Sequence, residues 1–273
     1  MNELQSITIG SITHGAGELI ADSVAFRFAQ FAISPISLKA RAGELTAIIG
    51  PNGSGKSTLL EILSGHLKPR SGSVFLDGQN LHTLSPRERA RKVGLARQET
   101  ILLFSFEVQE FVRQGRHPHL GNSLFESPED DRWVEWALEK TCLQEFAHRR
   151  VMEMSSGEFQ RAVLARTLAQ RPRLVLLDEP TANLDIGYQV EIFRLLRQLA
   201  KSENFVGIVV THELNLAAEM ADYVVLLRGG NCLTQGKAEE VFQADLLSRA
   251  FRTPVLVDKN PSSGRPRVTW IAP

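Results

Sequence analysis

The chain has 273 residues, 43% of them hydrophobic, with 31 Lys and Arg balancing 31 Asp and Glu. That length is enough for one large domain, or a domain with an insert, around a proper core. Zero net charge excludes a general field drawing the chain onto nucleic acid or anionic lipid. The two cysteines, Cys142 and Cys232, are far apart and fit neither a disulfide framework nor a metal-ligand spacing, so they read as reduced thiols of a cytosolic protein. The opening residues show no signal-peptide pattern, and the longest apolar runs, such as 174–177 and Val206–Val210, fall far short of the ~20 residues of a bilayer span. The expectation is a chain that does not itself cross a membrane.

Residues 1–20, rich in Gly, Ser and Thr, are weakly patterned and read as an irregular extension or an extra strand. Val24, Phe26 and Phe28 then alternate as on one face of a strand, and residues 36–38 form the next. Residues 41–44 turn into the apolar strand Leu45–Ile49. Residues 73–76 enter a tight turn at Asp77-Gly78. Ser85-Pro86-Arg87-Glu88 and Ser127-Pro128-Glu129-Asp130 each offer an N-cap serine, a proline at the first helical position and an acid in the first turn. Between about 99 and 154 strand patterns vanish and helical ones dominate, as over 133–140, and a helical insert over about 99–165 is predicted. Alternation then resumes: strand 174–177, helix 192–199, strand 205–210, helix Leu214–Met220, strand 223–227. Strands apolar on both faces predict a parallel sheet covered by helices on each side.

The chemistry is concentrated after the strand Leu45–Ile49, where Gly50-Pro51-Asn52-Gly53-Ser54-Gly55-Lys56-Ser57-Thr58 satisfies G-x-x-x-x-G-K-[ST]. Leu59, Leu60, Ile62 and Leu63 follow at helical spacing until Gly65 and Pro69, which completes the strand–loop–helix setting of a phosphate-binding loop. Glycines let consecutive backbone N–H groups converge on phosphate oxygens, and the helix start adds its positive dipole end. Lys56 is the residue to reach the β- and γ-phosphates, and the Ser57 hydroxyl suits Mg²⁺. This chain is expected to bind a nucleoside triphosphate.

Asp178-Glu179-Pro180 ends the apolar run 174–177, placing two carboxylates at the ligand-binding edge of a parallel sheet. Asp178 is suited to Mg²⁺ as the partner of Ser57, and Glu179 to polarising a water. An acidic turn after a strand is common; the phosphate loop is what favours the functional reading. Upstream, Ser155-Ser156-Gly157-Glu158 forms an S-x-x-E capping box, which in isolation would mean only a well-capped helix.

The order of phosphate loop, Gln98, 154–158, 177–180, 181–185 and His212 closely resembles the ATP-binding subunit of ATP-binding-cassette (ABC) transporters, over about residues 26–240. The resemblance implies an α/β fold: a P-loop NTPase core with a mostly parallel sheet, an antiparallel β subdomain near the N-terminus and a helical insert. It divides the chain into an N-terminal extension (1–20), a nucleotide-binding domain (21–245, insert about 99–165) and a short C-terminal extension (246–273). It implies ATP and Mg²⁺ as ligands, with Gln98 touching the metal or attacking water and sensing the membrane partner. Ser155, Gly157 and Glu158 match the signature sequence, with Met154 and Ser156 departing from the commonest L-S-G-G-Q pattern and Glu158 replacing its Gln. Glu179 resembles the catalytic base, Asp185 the aspartate bridging to the opposite subunit and His212 the histidine on the γ-phosphate. Phe28 is selected as the adenine-stacking aromatic, with Phe26 and Phe31 close behind.

No arginine finger stands out, and a capped helix N-terminus offers comparable support to the γ-phosphate. In this family that helix comes from the other subunit, so the resemblance implies a head-to-tail homodimer sandwiching two ATP molecules. It implies polytopic membrane permease subunits docked at the groove between Gln98 and the insert, a separate substrate-binding protein, no nucleic acid, and a peripheral place on the cytoplasmic side of the inner membrane. The stretch 108–119 and the tail 250–270, with Pro254-Val255, Asp258 and Gly264-Arg265-Pro266, are similar to importers of iron–siderophore complexes, haem and cobalamin. His117 and His119, flanking a proline, read as loop surface rather than haem ligands. A soluble mechanical ATPase would call for a tandem cassette or a coiled-coil insert, a small-molecule kinase for a substrate lid, and an ATP-gated scaffold for no Glu179; none of these matches.

Overall fold

The computed structural model describes residues 17–29, 31–97, 105–120 and 127–271. Strands β1 (Glu18–Phe28) and β2 (Phe31–Arg41) form an antiparallel pair, and β3 (Leu45–Ile49) runs through the glycine-rich loop into α1 (Lys56–Leu63). There follow β4 (Ser71–Leu76), β5 (Gln79–Asn80), α2 (Pro86–Lys92) and β6 (Val93–Ala96). Three helices come next, α3 (Val108–Arg113), α4 (Pro128–Lys140) and α5 (Ser156–Ala169), separated by short 3₁₀ turns. The chain then alternates through β7 (Leu174–Asp178), α6 (Ile186–Glu203), β8 (Val206–Val210), α7 (Leu214–Met220), β9 (Tyr223–Arg228) and β10 (Asn231–Gly236). It closes with α8 (Ala238–Val241), α9 (Ala244–Phe251) and the hairpin β11 (Val255–Lys259) and β12 (Pro266–Trp270).

The central sheet has the order β10-β9-β3-β8-β7-β6, parallel except for β10 at the edge. Its strands are apolar on both faces because two cores lie against it. Ala47, Ile49, Val175, Leu177 and Val209 point into one, with Phe111, Leu164, Phe193 and Ala217 of the surrounding helices. Ile48, Leu174, Leu176, Ile208 and Val210 point into the other, with Leu59 and Leu63 of α1 and Leu19, Val24, Ile36 and Val74 of the antiparallel strands. Helices thus lie over both faces as expected, and the antiparallel strands β1, β2 and β4 share the second face with α1. Each fully buried Leu or Ile there contributes on the order of 2 kcal/mol.

Both Ser-Pro motifs cap as read from sequence: Ser85 and Ser127 accept from the backbone N–H of Glu88 and Asp130, and each acid bonds back to the serine N–H. Asp130 has a second role. Arg116, buried in the turn after α3, donates to Asp130 Oδ1 at 2.8 Å and to the Ala169 carbonyl at 2.6 Å. One guanidinium thus ties the start of α4 to the end of α5.

The C-terminal hairpin buries Val255 and Val268 and is bracketed by Asn215 of α7, which bonds both the N–H and the carbonyl of Val268. Among the described residues no helix is long and apolar enough to cross a membrane.

Candidate functional site

The carboxyl ends of β3, β8 and β7 lie side by side, and each releases a reactive segment at the same edge. From β3 the loop 50–55 turns into α1. Gly50 has φ +151°, and a Cβ on it would lie 2.2 Å from the Leu227 carbonyl oxygen, so no other residue fits. Gly55, at φ +100°, is the left-handed residue from which α1 springs. The helix has no side-chain cap and no acid in its first turn. Its first backbone N–H groups and positive dipole end are left for an anion.

Lys56 is buried, and its Nζ donates to the carbonyls of Gly50 and Pro51 at 3.0 and 3.2 Å. Burial lowers the pKa of this ammonium, while the neighbouring Glu179 and Asp178 pull it back up. Burial raises that of the Asp178 carboxyl; a hydrogen bond from Ser57 opposes the shift and Glu179 adds to it. Asp178 Oδ1 is buried with no hydrogen-bond partner. A hydroxyl and a carboxylate with an oxygen to spare make a hard-oxygen donor set, which fits Mg²⁺.

Glu179 stands one residue past β7 with φ +50°, its N–H bonded to the Val210 carbonyl at 3.0 Å. That left-handed kink turns its side chain toward His212, two residues past β8, and His212 Nε2 lies 2.5 Å from Glu179 Oε1. A cleft of about 300 Å³ is lined by Phe31, Asn52, Gly53, Gly55, Lys56, Ser57, Thr58 and Glu179. Lys56, Ser57, Asp178, Glu179 and His212, scattered over the sequence, are thus brought together.

The other expected site residues stand elsewhere. Phe28 is 73% exposed at the end of β1 and is not among the residues lining the cleft, whereas Phe31, its partner across the hairpin, is. Gln98 lies outside the described residues. Ser155 caps α5: its N–H donates to Glu158 Oε2 at 2.8 Å and its Oγ accepts from the Glu158 N–H at 3.4 Å. The hydrogen bond from the Ser155 N–H lowers the Glu158 pKa against the effect of burial, helped by the Ser155 side chain and then by Arg149 and Arg161 nearby. Gly157 is buried against the Tyr188 ring, and Ser156 is exposed at the first helical position. Asp185 caps α6 by accepting from the Tyr188 N–H at 3.1 Å, beside Ile186, which is 78% exposed. None of Ser155, Gly157, Glu158 or Asp185 lines the cleft.

Sequence reasoning overlooked Tyr188 and Gln189, which belong to no motif, and Arg116, whose partner Asp130 is legible only as a cap. A larger groove of about 880 Å³ runs between α2, β6 and the helices α3 and α5; Arg89, Arg97, Arg113 and Arg166 give it a mostly cationic lining, with Glu110 as the one acid among the described lining residues. Arg166 stacks on Phe111 at 4.5 Å.

Residues 33–182 match the family model described as ABC transporter. The chain is 38% identical over 229 residues to the cobalamin import ATP-binding protein BtuD of Halobacterium salinarum, covering 84% of this chain but 57% of the relative. It is 34% identical over 258 residues to the ferric enterobactin transport ATP-binding protein FepC of Escherichia coli, covering 94% of this chain and 95% of that one. Among solved structures, an inward-facing ABC transporter described as of metal-chelate type aligns at a TM-score of 0.83 and 25% identity, over 94% of this chain and 98% of the other. The ATP-binding cassette MJ0796, in a dimeric post-hydrolysis state bound to ADP and Pi, aligns at 0.67 and 27% identity, over 80% and 98%.

Proposed function

The chain belongs to the ABC transporter family, and we propose that it is the ATP-hydrolysing subunit of an importer for an iron–siderophore complex, haem or cobalamin. The observation that carries the hydrolytic part is the convergence of Lys56, Ser57, Asp178, Glu179 and His212 on one sheet edge. The β- and γ-phosphates sit over the N-terminus of α1, and Lys56 exchanges its loop carbonyls for phosphate oxygens. Ser57 and Asp178 hold Mg²⁺, with Gln98 as a further ligand. The metal, when bound, offsets charge at the phosphate oxygens. Glu179 takes the proton of the attacking water, and His212 holds the Glu179 carboxylate and the γ-phosphate in line. Phe28 stacks on adenine; its exposed ring is free to do so.

Ser155, Gly157 and Glu158 stand away from the cleft, which supports the view that they complete a second nucleotide. Two copies face each other head to tail, each giving its α5 N-terminus to the ATP of the other, with Asp185 and the exposed Ile186 at the contact. The dimeric form of MJ0796 supports the arrangement. Hydrolysis removes the shared γ-phosphate contact and the pair opens. The cationic groove receives the membrane permease, to which a separate binding protein delivers cargo, and the chain sits peripherally on the cytoplasmic face. The substrate class rests on the cobalamin and ferric enterobactin relatives.

The test is to purify the chain from membranes and identify what accompanies it. A polytopic membrane protein whose transport of a metal chelate or cobalamin needs this chain's ATP turnover supports the reading. Recovery only as free protein or on ribosomes would favour a soluble mechanical ATPase instead.

A further inference from the structure

The first turn of α6 touches both the signature segment, at Gly157, and the segments on either side of the catalytic pair, at Thr181, Leu184 and Glu213. A Cβ built on Gly157 would lie 2.5 Å from Tyr188 Cδ1 and 2.9 Å from Cγ and Cε1, so the bare Cα of Gly157 rests on the tyrosine ring. One turn further along both helices, Arg161 Nη1 meets Glu191 Oε1 at 3.1 Å. Positions 157 and 161 are four apart on α5, and 188 and 191 three apart on α6, so each pair lies on one helix face. The two contacts strap the helices together at their N-terminal ends.

Gln189 completes the linkage. Its Nε2 donates to the Leu184 carbonyl at 3.1 Å and lies within 3.5 Å of the Thr181 carbonyl and 3.4 Å of Glu213 Oε1. Thr181 and Leu184 belong to the segment joining Glu179 to Asp185, and Glu213 follows His212 directly.

We propose that Tyr188, with the Arg161–Glu191 pair, is a positioning element that fixes the Ser155 cap relative to the Asp185 loop, so that each copy presents cap and loop to its partner as one rigid unit. Gln189 carries the same first turn to the segments that hold Glu179 and His212. A cap that engages the nucleotide of the opposite copy therefore registers at the residues acting on the chain's own nucleotide. The inference rests on the two-copy arrangement proposed above. Tyr188 does not line the nucleotide cleft and acts through Gly157.

The experiment uses the full chain carrying Glu179→Gln, with ATP affinity measured on dilute monomer and ATP-driven dimerisation measured by sedimentation. Tyr188→Ala is expected to leave monomer affinity for ATP unchanged and weaken dimerisation about tenfold, a size typical of coupled contacts. Tyr188→Phe, which keeps the ring, is expected to dimerise like the parent. Arg161→Glu should weaken dimerisation, and adding Glu191→Arg should restore it. Parental dimerisation by Tyr188→Ala overturns the proposal, as does an equal loss of ATP affinity and dimerisation, or a reversed pair that restores nothing. Should Tyr188→Ala not fold, the Arg161 and Glu191 variants decide. A Glu179→Gln parent that stays monomeric with ATP overturns the two-copy reading itself, and this proposal with it.

Discussion

His212 Nε2 lies 2.5 Å from Glu179 Oε1, although the two residues leave different strands and stand 33 positions apart. The contact exists because β7 and β8 are parallel neighbours, with Asp178 opposite Val210 in register. One further residue on β7 and two on β8 bring the carboxylate and the imidazole to the same height. The left-handed backbone at Glu179 supplies the remaining rotation.

Replacing either partner should separate binding from turnover. Glu179→Gln is expected to bind ATP with near-normal affinity, nearly abolish hydrolysis and accumulate as an ATP-held dimer. His212→Ala should lose roughly 10²-fold or more in turnover, the range for removing a group that positions a general base. Phosphate release with saturating ATP, set beside equilibrium binding, checks both; ordinary turnover by the Glu179 variant would remove it from the reaction.

Much of this site was legible because it obeys local rules. The glycine spacing of 50–55 is needed wherever N–H groups converge, and the Ser85, Ser127 and Ser155 boxes are written in four consecutive residues. The buried strands announced themselves as short apolar runs. What escaped depends on pairing across the chain. β6 is only Val-Gly-Leu-Ala and owes its place to β7; β11 and β12 carry Leu256, Asp258, Arg267 and Thr269 on one face and become a hairpin against Asn215 of α7. Phe31 enters the cleft because a hairpin register sets it beside Gly55. The Tyr188–Gly157 contact needs two helix N-termini side by side, which no spacing within one helix encodes.

The Ser155 cap yields a prediction with two readouts. Ser155→Ala removes the acceptor for the Glu158 N–H and should destabilise the start of α5 by about 1 kcal/mol, a usual loss for an N-cap. Denaturant unfolding reports that term. ATP-driven dimerisation should fall by more than the stability change accounts for, because the same hydroxyl would face the partner's nucleotide. Ser155→Thr, which keeps the hydroxyl, is expected to retain most of both.

Asp178 should make metal-dependent nucleotide binding sensitive to acid at an unusually high pH. Burial raises its pKa above the ordinary value of 3.8, and only the ionised carboxylate can help hold Mg²⁺. Binding of ATP with Mg²⁺ should therefore weaken as pH falls through that raised value, while metal-free binding to the loop changes less. Asp178→Asn should abolish this part of the pH dependence and lose Mg²⁺ stimulation; calorimetric titration with and without the metal separates the two.

The Arg116–Asp130 pair should set the acid stability of the helical region. Burial raises the Asp130 pKa, but hydrogen bonds from the Ser127 N–H and hydroxyl and the Arg116 guanidinium outweigh it, bringing the pKa down from 3.8 to about 2. A depressed folded-state pKa means that the unfolded chain binds the proton first. The stabilisation is thus fully present above the unfolded value near 3.8 and is lost as pH falls toward about 2. Its size is about 1–2 kcal/mol once solvent screening is allowed for. Asp130→Asn should therefore lower stability at neutral pH and flatten its slope between those two values. Arg116→Met should be worse at neutral pH than at low pH, because it leaves a buried carboxylate without its cation. Thermal melts across that window, read from the tryptophans of α4, would show parallel curves for wild type and Asp130→Asn if the pair contributed nothing.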